Sequence, residues 1–369
     1  MRRHLFVRTL GLLAVLLSAC ASAAPAAGPT GTPVPSLTAA PTDPPTQAAS
    51  PTPEPPALPV PYQASLLNPL DSPHTYIPEP CQYIKDKWSS ANSAPGTVVM
   101  VIMFHIITND ALANPDQISE FNFRRLMKKI YTDGFQAITT AQLAGFLYHN
   151  AKIPERSVLL VVDDRKTRQY FERFFQQYWD DYHWPVVNAW ISTPLSTADL
   201  WQQQVDLEAA GWVDHQAHGV VHDIPIDSTS SDEYILGELQ GSIDAFKLHF
   251  DKTPIAFIWP GGGFTPHAAA LARQVGYQLG FTINPRGPLM YNWVPLADSG
   301  DPVRPTWIPE GPVNDPLMVL PRYWDTDAAL HLDEVVQMSG EAAAYADQNK
   351  ATEMEYYDIV CASQYGPIP

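Results

Sequence analysis

Short runs of apolar residues alternate with longer amphipathic segments from about residue 75 to residue 369. Most of these runs are continuous rather than alternating in polarity, as expected of strands that are buried on both faces of a sheet. The strands predicted from the runs are Val98–Phe104, Ser157–Val162, Val186–Ile191, Trp212–Gln216, Ile255–Trp259, Leu279–Ile283 and Met318–Leu320.

The segments between the runs have the periodicity of amphipathic helices. Several begin next to a residue type that is favoured at helix N-caps, such as Ser196 or Thr197 and Ser231. The predicted helices are Glu120–Tyr131, Thr167–Tyr182, Thr197–Ala210, Asp232–Phe250 and Pro266–Val275.

This alternation of strands and helices predicts an α/β fold with a parallel sheet. The most economical arrangement is a distorted (β/α) barrel of seven or eight units, and a doubly wound open sheet is the alternative. Residues 284–316 are rich in Pro and Gly and break the alternation. We expect them to form a long loop over one face of the barrel.

The N-terminus has the pattern of an export signal. Three arginines precede the apolar run Leu10–Leu17, which is too short to span a bilayer. The run ends in Leu-Ser-Ala-Cys20, which resembles the lipobox of bacterial lipoproteins. We therefore expect a signal peptide at residues 1–19 and a lipid on Cys20; the alternative is an ordinary cleaved signal.

Residues 20–65 are predicted to be a disordered tether. Residues 21–61 carry 13 of the 37 prolines and only two charged residues, Asp43 and Glu54. Such a composition cannot bury enough apolar surface to offset its conformational entropy. The globular domain is therefore expected at residues 75–369, held outside the cytoplasm on the membrane surface.

The cysteines predict a disulfide, and the net charge limits the class of partner. With Cys20 assigned to the anchor, Cys81 and Cys361 remain and are predicted to form a disulfide; two separate buried thiols are the alternative. The formal charge is −17, and removing residues 1–19, which carry three Arg and no acid, makes it −20. A charge of this sign disfavours nucleic acid as a partner.

Ionisable and turn-forming residues follow five of the apolar runs. Because catalytic residues of a (β/α) barrel lie at the carboxyl ends of its strands, we expect these groups to share one rim. The groups are His105 after the first run, Asp163 and Asp164 after the second, His218 and His222 after the fourth, Trp259–Pro260–Gly261 after the fifth, and Arg322 after the last.

The two histidines four residues apart can face one point, and a carboxylate from another strand can complete a metal site with open positions. A pair of this kind often arises by chance in a chain with 11 His, and Asp163–Asp164 alone is as well explained by a solvated turn. The combination of the four residues favours a metal site.

Over residues 97–325 the chain resembles the polysaccharide deacetylases of the NodB-homology type, carbohydrate esterase family 4. "VVDDR" stands where that family has T-F-D-D-G, "HGVVH" matches H-[ST]-x-x-H, and "WPGGG" loosely matches the third motif. "VLPRY" and "MFHII" resemble segments of the branch that acts on poly-N-acetylglucosamine. The resemblance implies a barrel of deacetylase type.

The resemblance also implies roles for residues. Asp164, His218 and His222 become ligands of a divalent metal, most often zinc, and Asp163 becomes the general base toward the water that the metal activates. A backbone N–H near Gly261 would stabilise the oxyanion.

The general acid is expected to be His105 rather than His331, with a buried structural histidine as the alternative for His105. Pro260 and Arg322 are assigned to the substrate and oxyanion region. Trp259 is predicted to offer a face to a sugar ring, although core packing explains it equally well. His215 has no counterpart in the family and is predicted to be a packing residue.

Three positions depart from the family's motifs. Arg165 replaces the Gly after the two acids, Gly219 replaces a Ser or Thr, and Ile258 stands where many members have an Arg that orients the base. Arg165 could pair with Asp163 and weaken it as a base. Metal binding is therefore a firmer expectation than turnover.

The leading hypothesis is a lipid-anchored, monomeric, zinc-dependent hydrolase that removes N-acetyl groups from extracellular or cell-wall polysaccharide. The alternative is a catalytically weakened domain that binds glycan or envelope components. A glycoside hydrolase with Asp163 among its carboxylates fits a barrel but leaves the histidines unexplained.

Overall fold

The structure is a computed structural model that describes residues 54–222, 224–300 and 314–369. The predicted signal peptide, Cys20 and most of the predicted tether lie outside the described residues. Among those described, no helix has the length and apolar character needed to cross a bilayer.

Strands and helices alternate through most of the described chain. The strands are β1 (Asp71–His74), β2 (Val98–Phe104), β3 (Ile106–Thr108), β4 (Gln117–Ser119), β5 (Gln136–Ala137), β6 (Arg156–Asp163), β7 (Val186–Trp190), β8 (Val213–Ala217), β9 (Ala256–Ile258), β10 (Leu279–Phe281), β11 (Val294–Ala297) and β12 (Tyr323–Trp324). The α-helices are α1 (Pro80–Trp88), α2 (Glu120–Thr132), α3 (Thr140–His149), α4 (Arg168–Phe174), α5 (Gln176–Tyr182), α6 (Ala198–Ala209), α7 (Asp232–Phe250), α8 (Pro266–Val275), α9 (Asp325–Tyr356) and α10 (Ala362–Tyr365).

One curled parallel sheet organises the fold. Its strands lie in the order β10-β9-β8-β7-β6-β2-β12, and β5 pairs with the first half of β6. All seven residues of β2 are buried, and its alternate side chains pack into two different apolar clusters. This burial on both faces is why β2 and β6 are continuous apolar runs rather than alternating ones. The predicted α/β fold with a curled parallel sheet is confirmed.

The two edges of the sheet are joined by the segment from Leu320 to Trp324. Leu320 donates its N–H to Gly280 in β10 and accepts from Thr282, while Tyr323 and Trp324 pair with β2. A Cβ atom at Gly280 would lie 2.1 Å from the carbonyl oxygen of Met318, so only glycine allows this close approach. The segment places Arg322 next to the carboxyl end of β6.

Six of the seven predicted strands are present, with ends that differ by one or two residues. The seventh, Met318–Leu320, is wrong: residues Pro316–Met318 form a 3₁₀ turn, and the strand is β12. Pro316 starts the turn, and Pro321 lacks the N–H that a strand through this segment would need.

Two other predicted elements are also corrected. The helix expected over Thr167–Tyr182 is divided into α4 and α5 at Phe175, whose buried ring packs against Phe104 and Phe123. The expected loop over 284–316 contains β11, which pairs with β1 and is buried at all four positions. In each case a tertiary contact decides the local structure.

At the end of the barrel where the strands begin, the first and last described segments of the chain pack together. Cys81 in α1 and Cys361 form the predicted disulfide, with a Cα–Cα distance of 5.4 Å. The hydroxyl of Tyr62 donates to Glu341, and Tyr62 stacks on Trp293 with ring centroids 6.1 Å apart. The tether boundary predicted at residue 65 therefore falls inside a packed segment.

Candidate metal centre and active site

The two adjacent acids at the end of β6 face different surroundings. Asp163 is the last residue of the strand and is 1% exposed. Asp164 follows it with a φ of 71°, a left-handed conformation that is uncommon for a residue other than glycine. This turn directs one carboxylate into the interior and leaves the other half-buried at the rim.

The histidine pair comes from the loop after β8. Nδ1 of the buried His218 lies 2.8 Å from the carbonyl oxygen of Ile258, so Nδ1 carries the proton and Nε2 is free to coordinate. His222 has a φ of 66°, and its Nε2 lies 3.0 Å from Nε2 of His218. Two imidazole nitrogens at this distance face a common point.

The half-buried carboxylate completes a three-residue cluster with the histidines. Oδ1 of Asp164 lies 3.9 Å from Nε2 of His218 and 3.7 Å from Nε2 of His222. The three candidate ligand atoms all lie within 4.8 Å of one another. One carboxylate oxygen and two imidazole nitrogens are a donor set suited to zinc and similar divalent ions, so the residues fit such a metal.

Burial keeps His218 in the ligating form. Removal from water lowers its pKa to about 4, although the nearby carboxylates Asp163 and Asp164 act in the opposite direction. His218 is therefore neutral at pH 7, as coordination requires. The Lys166 ammonium lies 3.6 Å from Oδ2 of Asp164, the oxygen that does not face the histidines.

Arg322 holds the interior carboxylate. Its Nη1 donates to Oδ1 of Asp163 at 2.7 Å, and its Nε donates to the carbonyl oxygen of Thr282. Burial by itself raises the pKa of Asp163, but the positive charge of Arg322 and the neighbouring His218 and His105 outweigh it, so the pKa lies well below its usual range. Asp163 is ionised at neutral pH.

This position corrects the assignment of Arg322 to the substrate region. The side chain is fully buried behind Asp163 and precedes β12 rather than ending a strand. Arg165, which the sequence suggested as a partner of Asp163, is exposed. The guanidinium that orients Asp163 therefore comes from a residue 159 positions further along the chain.

His105 lies on the other side of Asp163. Its Nε2 is 3.6 Å from Oδ2 of Asp163, and its ring stacks on Trp324 at 5.3 Å between centroids. The side chain is 19% exposed, so part of the imidazole is accessible to solvent. His331, the alternative general acid, lies in α9 and pairs with Glu334 instead.

The segment after β9 contributes backbone rather than side chains. Trp259 is 0% exposed, and its Nε1 donates to the carbonyl oxygen of Met318, so its predicted contact with a sugar ring is wrong. Pro260 is also buried, whereas Gly261 is exposed with a φ of 55°. The N–H groups of Gly262 and Gly263 bond within this turn, which leaves that of Gly261 as the donor nearest to solvent.

Two residues of the site were not found from the sequence, Trp324 and Asp325. Asp325 is 2% exposed, and among the described residues its Oδ2 has no hydrogen-bond partner. Burial raises the pKa of Asp325 to about 8, and the carboxylates of Asp327, Asp116 and Asp163 act in the same direction. The only sequence signal was their position directly after the "PRY" segment.

His215 is placed as predicted, away from the candidate ligands. It is fully buried, with Nδ1 2.8 Å from Glu208 and Nε2 3.1 Å from Gln204. Burial lowers its pKa, against the effect of Glu208. It serves the packing between β8 and α6.

The segment that carries most of the candidate site matches a known protein family. Residues 150–280 match the model of the family described as polysaccharide deacetylase. The matched segment contains both acids, both candidate histidine ligands and the turn at Gly261. No curated protein matches the sequence.

Several solved structures are similar to this chain. The Streptococcus pyogenes deacetylase PplD, in complex with acetate, is 17% identical with a TM-score of 0.50, covering 66% of this chain and 99% of that one. A Bacillus cereus polysaccharide deacetylase is 18% identical with a TM-score of 0.49, over 65% and 69%. IcaB from Ammonifex degensii is 16% identical with a TM-score of 0.47, over 68% and 99%. At these identities the likeness to PplD establishes the fold.

Proposed function

We propose that the protein is a metal-dependent hydrolase that removes N-acetyl groups from an extracellular polysaccharide of the N-acetylglucosamine type. The observation that carries this proposal is the convergence of Asp164, His218 and His222 beside a buried, ionised Asp163. The match of residues 150–280 to the polysaccharide deacetylase family supports the substrate class.

Asp164, His218 and His222 would hold the metal, with zinc the expected ion. When bound there, such an ion supplies Lewis-acid activation of water and of the acetamide carbonyl. The protein keeps the imidazoles neutral and the carboxylate ionised, and it orients all three toward one point. The hydrogen bond from His218 Nδ1 to Ile258 and the left-handed turns at Asp164 and His222 do this.

Asp163 is the proposed general base. It is ionised because Arg322 offsets the cost of its burial, so it can accept a proton from the attacking water. In the family's third motif an Arg orients the base, and in this chain Ile258 stands there. Arg322 orients the base instead, from the position before β12, so the change to Ile258 is not by itself a reason to regard the domain as catalytically weakened.

His105 is the proposed general acid. Its imidazole lies beside Asp163 and is partly accessible to solvent, and the stack on Trp324 fixes the orientation of the ring. As the amide C–N bond breaks, His105 would donate a proton to the leaving nitrogen, so that acetate and a free amine are the products. The N–H of Gly261 is the candidate donor to the oxyanion that forms on the acyl carbon.

The setting proposed for this activity is the outer surface of the cell membrane. A signal peptide and a lipidated Cys20 account for the apolar run and the Cys that follows it. The disulfide between Cys81 and Cys361 supports an oxidising compartment. The strongly acidic chain is proposed to act as a monomer on polysaccharide and to bind no nucleic acid.

Acetate release from N-acetylglucosamine oligomers tests the proposal. Purified protein is reconstituted with zinc or cobalt and incubated with β-1,4- and β-1,6-linked oligomers, with the Asp163→Asn variant as control. We expect free amines and acetate from the wild type, and metal binding without acetate from the variant. Metal binding with no acetate from any oligomer would indicate a glycan-binding protein, and shortened oligomers would indicate a glycosidase.

A further inference from the structure

A buried carboxylate lies directly behind the loop that carries the two histidine ligands. Glu238, in the second turn of α7, is 1% exposed. Its two oxygens accept the backbone N–H groups of Val220, Val221 and His222 at 3.0, 2.8 and 3.2 Å. Among the described residues no cationic side chain forms an ion pair with it, so the loop backbone is its partner.

The rest of the loop is held by neighbouring strands. His218 donates its N–H to the carbonyl oxygen of Trp190, and Ser192 donates to the carbonyl oxygen of Gly219. These bonds fix the start of the loop but not the second ligand. His222, whose φ of 66° is disfavoured for a residue with a side chain, is held from its backbone by Glu238.

Gly219 explains why a carboxylate can occupy this place. A Cβ atom at Gly219 would lie 2.3 Å from Oε2 of Glu238, well inside contact distance. The deacetylase motif H-[ST]-x-x-H has a hydroxyl-bearing residue at this position, and this chain has Gly. A side chain at position 219 and the Glu238 carboxylate therefore exclude one another in the present geometry.

We propose that Glu238 is a positioning residue for the metal centre: it holds His222 in ligating position and places a buried negative charge behind the histidine pair. A carboxylate that accepts three N–H bonds away from water forms strong, charge-assisted hydrogen bonds. The same charge favours a cation between His218 and His222. The inference rests on the proposed function only in requiring that Asp164, His218 and His222 bind a metal.

Cobalt titration separates this role from a merely structural one. Affinity is measured with a competing chelator, and the visible absorption of bound cobalt reports ligand geometry. We expect Glu238→Gln to weaken binding about 10-fold and Glu238→Ala about 10–100-fold, with a changed cobalt spectrum in both. Glu233→Gln, an exposed residue of the same helix, is the matched control and is expected to bind as the wild type does.

A double-mutant cycle tests the exclusion between positions 219 and 238. Gly219→Ala places a side chain against Glu238 and on a backbone with a φ of 80°, so alone it is expected to weaken metal binding at least about 10-fold. In the Glu238→Ala background only the backbone strain and the contact with Pro260 remain, so the loss is expected to be at least about 3-fold smaller. Circular dichroism of the metal-free variants checks folding. If Glu238→Ala does not fold, Glu238→Ser, which also removes the contact, replaces it in the cycle, and Glu238→Gln still tests the positioning role.

Wild-type affinity and spectrum in both Glu238 variants would overturn the inference, as would equal losses for Gly219→Ala in the two backgrounds. A wild-type protein that binds no cobalt would overturn the proposed function and this inference together. Cobalt binding without acetate release would overturn the proposed function alone.

Discussion

The two ends of the barrel differ in how their residues are held. At the end where the strands finish, Asp164 and His222 have left-handed backbones, and the charged side chains of Asp163 and Arg322 are buried. At the end where they begin, a disulfide joins Cys81 to Cys361, and aromatic rings pack under the N-terminal segment. Both ends bury charge, since Glu353 is buried against Lys87 near the disulfide. The ends differ in what the buried charges adjoin: candidate metal ligands and a candidate base where the strands finish, and a cross-link with aromatic packing where they begin.

Among substitutions at the two ends of the barrel, Asp164→Ala is expected to have the largest effect. The variant loses one of three candidate ligands, so we expect metal to be absent and deacetylation to fall at least about 10³-fold. Because the side chain is half-buried at the rim, the unfolding free energy of the metal-free protein should change by less than about 1 kcal/mol. Elemental analysis and urea unfolding measure the two quantities; stoichiometric zinc in the variant would refute the ligand assignment.

Arg322→Gln should affect both function and stability. Without the guanidinium, burial raises the pKa of Asp163, so the acid limb of the rate profile moves to higher pH. In the wild type the lowered pKa contributes stability above about pH 4 that is lost as the pH falls further. We expect an unfolding free energy lower by about 3–5 kcal/mol at pH 7, because a buried carboxylate loses its partner.

The exposed Arg165→Gln is the matched control for Arg322→Gln. If Arg165→Gln shifts the acid limb and Arg322→Gln does not, the wrong arginine has been assigned to Asp163.

The Cys81→Ser/Cys361→Ser double variant breaks the other end of the barrel. Loss of the cross-link should lower the unfolding free energy by about 2–5 kcal/mol. Zinc affinity should stay within about 2-fold of the wild type, since the ligands are held by the sheet and α7. Denaturant unfolding with a parallel zinc titration checks this, and a large loss of affinity would show that the two ends are coupled.

The smallest effect, when stability is compared at pH 4, is expected from Asp325→Asn. Because burial raises the pKa of Asp325 to about 8, the folded wild type binds a proton more tightly than the unfolded chain does. Its contribution to stability is full below about pH 4 and is lost as the pH rises to about 8, with a slope of up to about 1.4 kcal/mol per pH unit. The variant should lack this slope in denaturant unfolding between pH 4 and 8, and equal slopes would place Asp325 in a more hydrated environment.

Much of the strand pattern could be predicted because it depends on local composition. Strands such as β2 and β6 are buried on both faces, so their sequences are continuously apolar. The candidate ligands could be found because His218 and His222 are four residues apart and Asp164 directly follows an apolar strand. Each of these signals spans only a few neighbouring residues of the chain.

What could not be predicted depends on distant partners. Trp259 is buried with a hydrogen bond to Met318, 59 residues away. Glu238 accepts hydrogen bonds from backbone N–H groups, which every residue type except proline has, so the residue types in the loop do not reveal them. The role of Arg322 depends on the segment from Leu320 to Trp324, which closes the sheet. Pro321 and Arg322 interrupt the apolar pattern in that segment, so β12 was not predicted.

Anomalous X-ray scattering from crystals of zinc-reconstituted protein tests the central claim most directly. Data collected on the two sides of the zinc absorption edge locate the ion independently of any assumption about its ligands. The account predicts one strong peak within about 2.0–2.2 Å of Oδ1 of Asp164 and Nε2 of both His218 and His222. A zinc peak elsewhere, or none with zinc in excess, would contradict it.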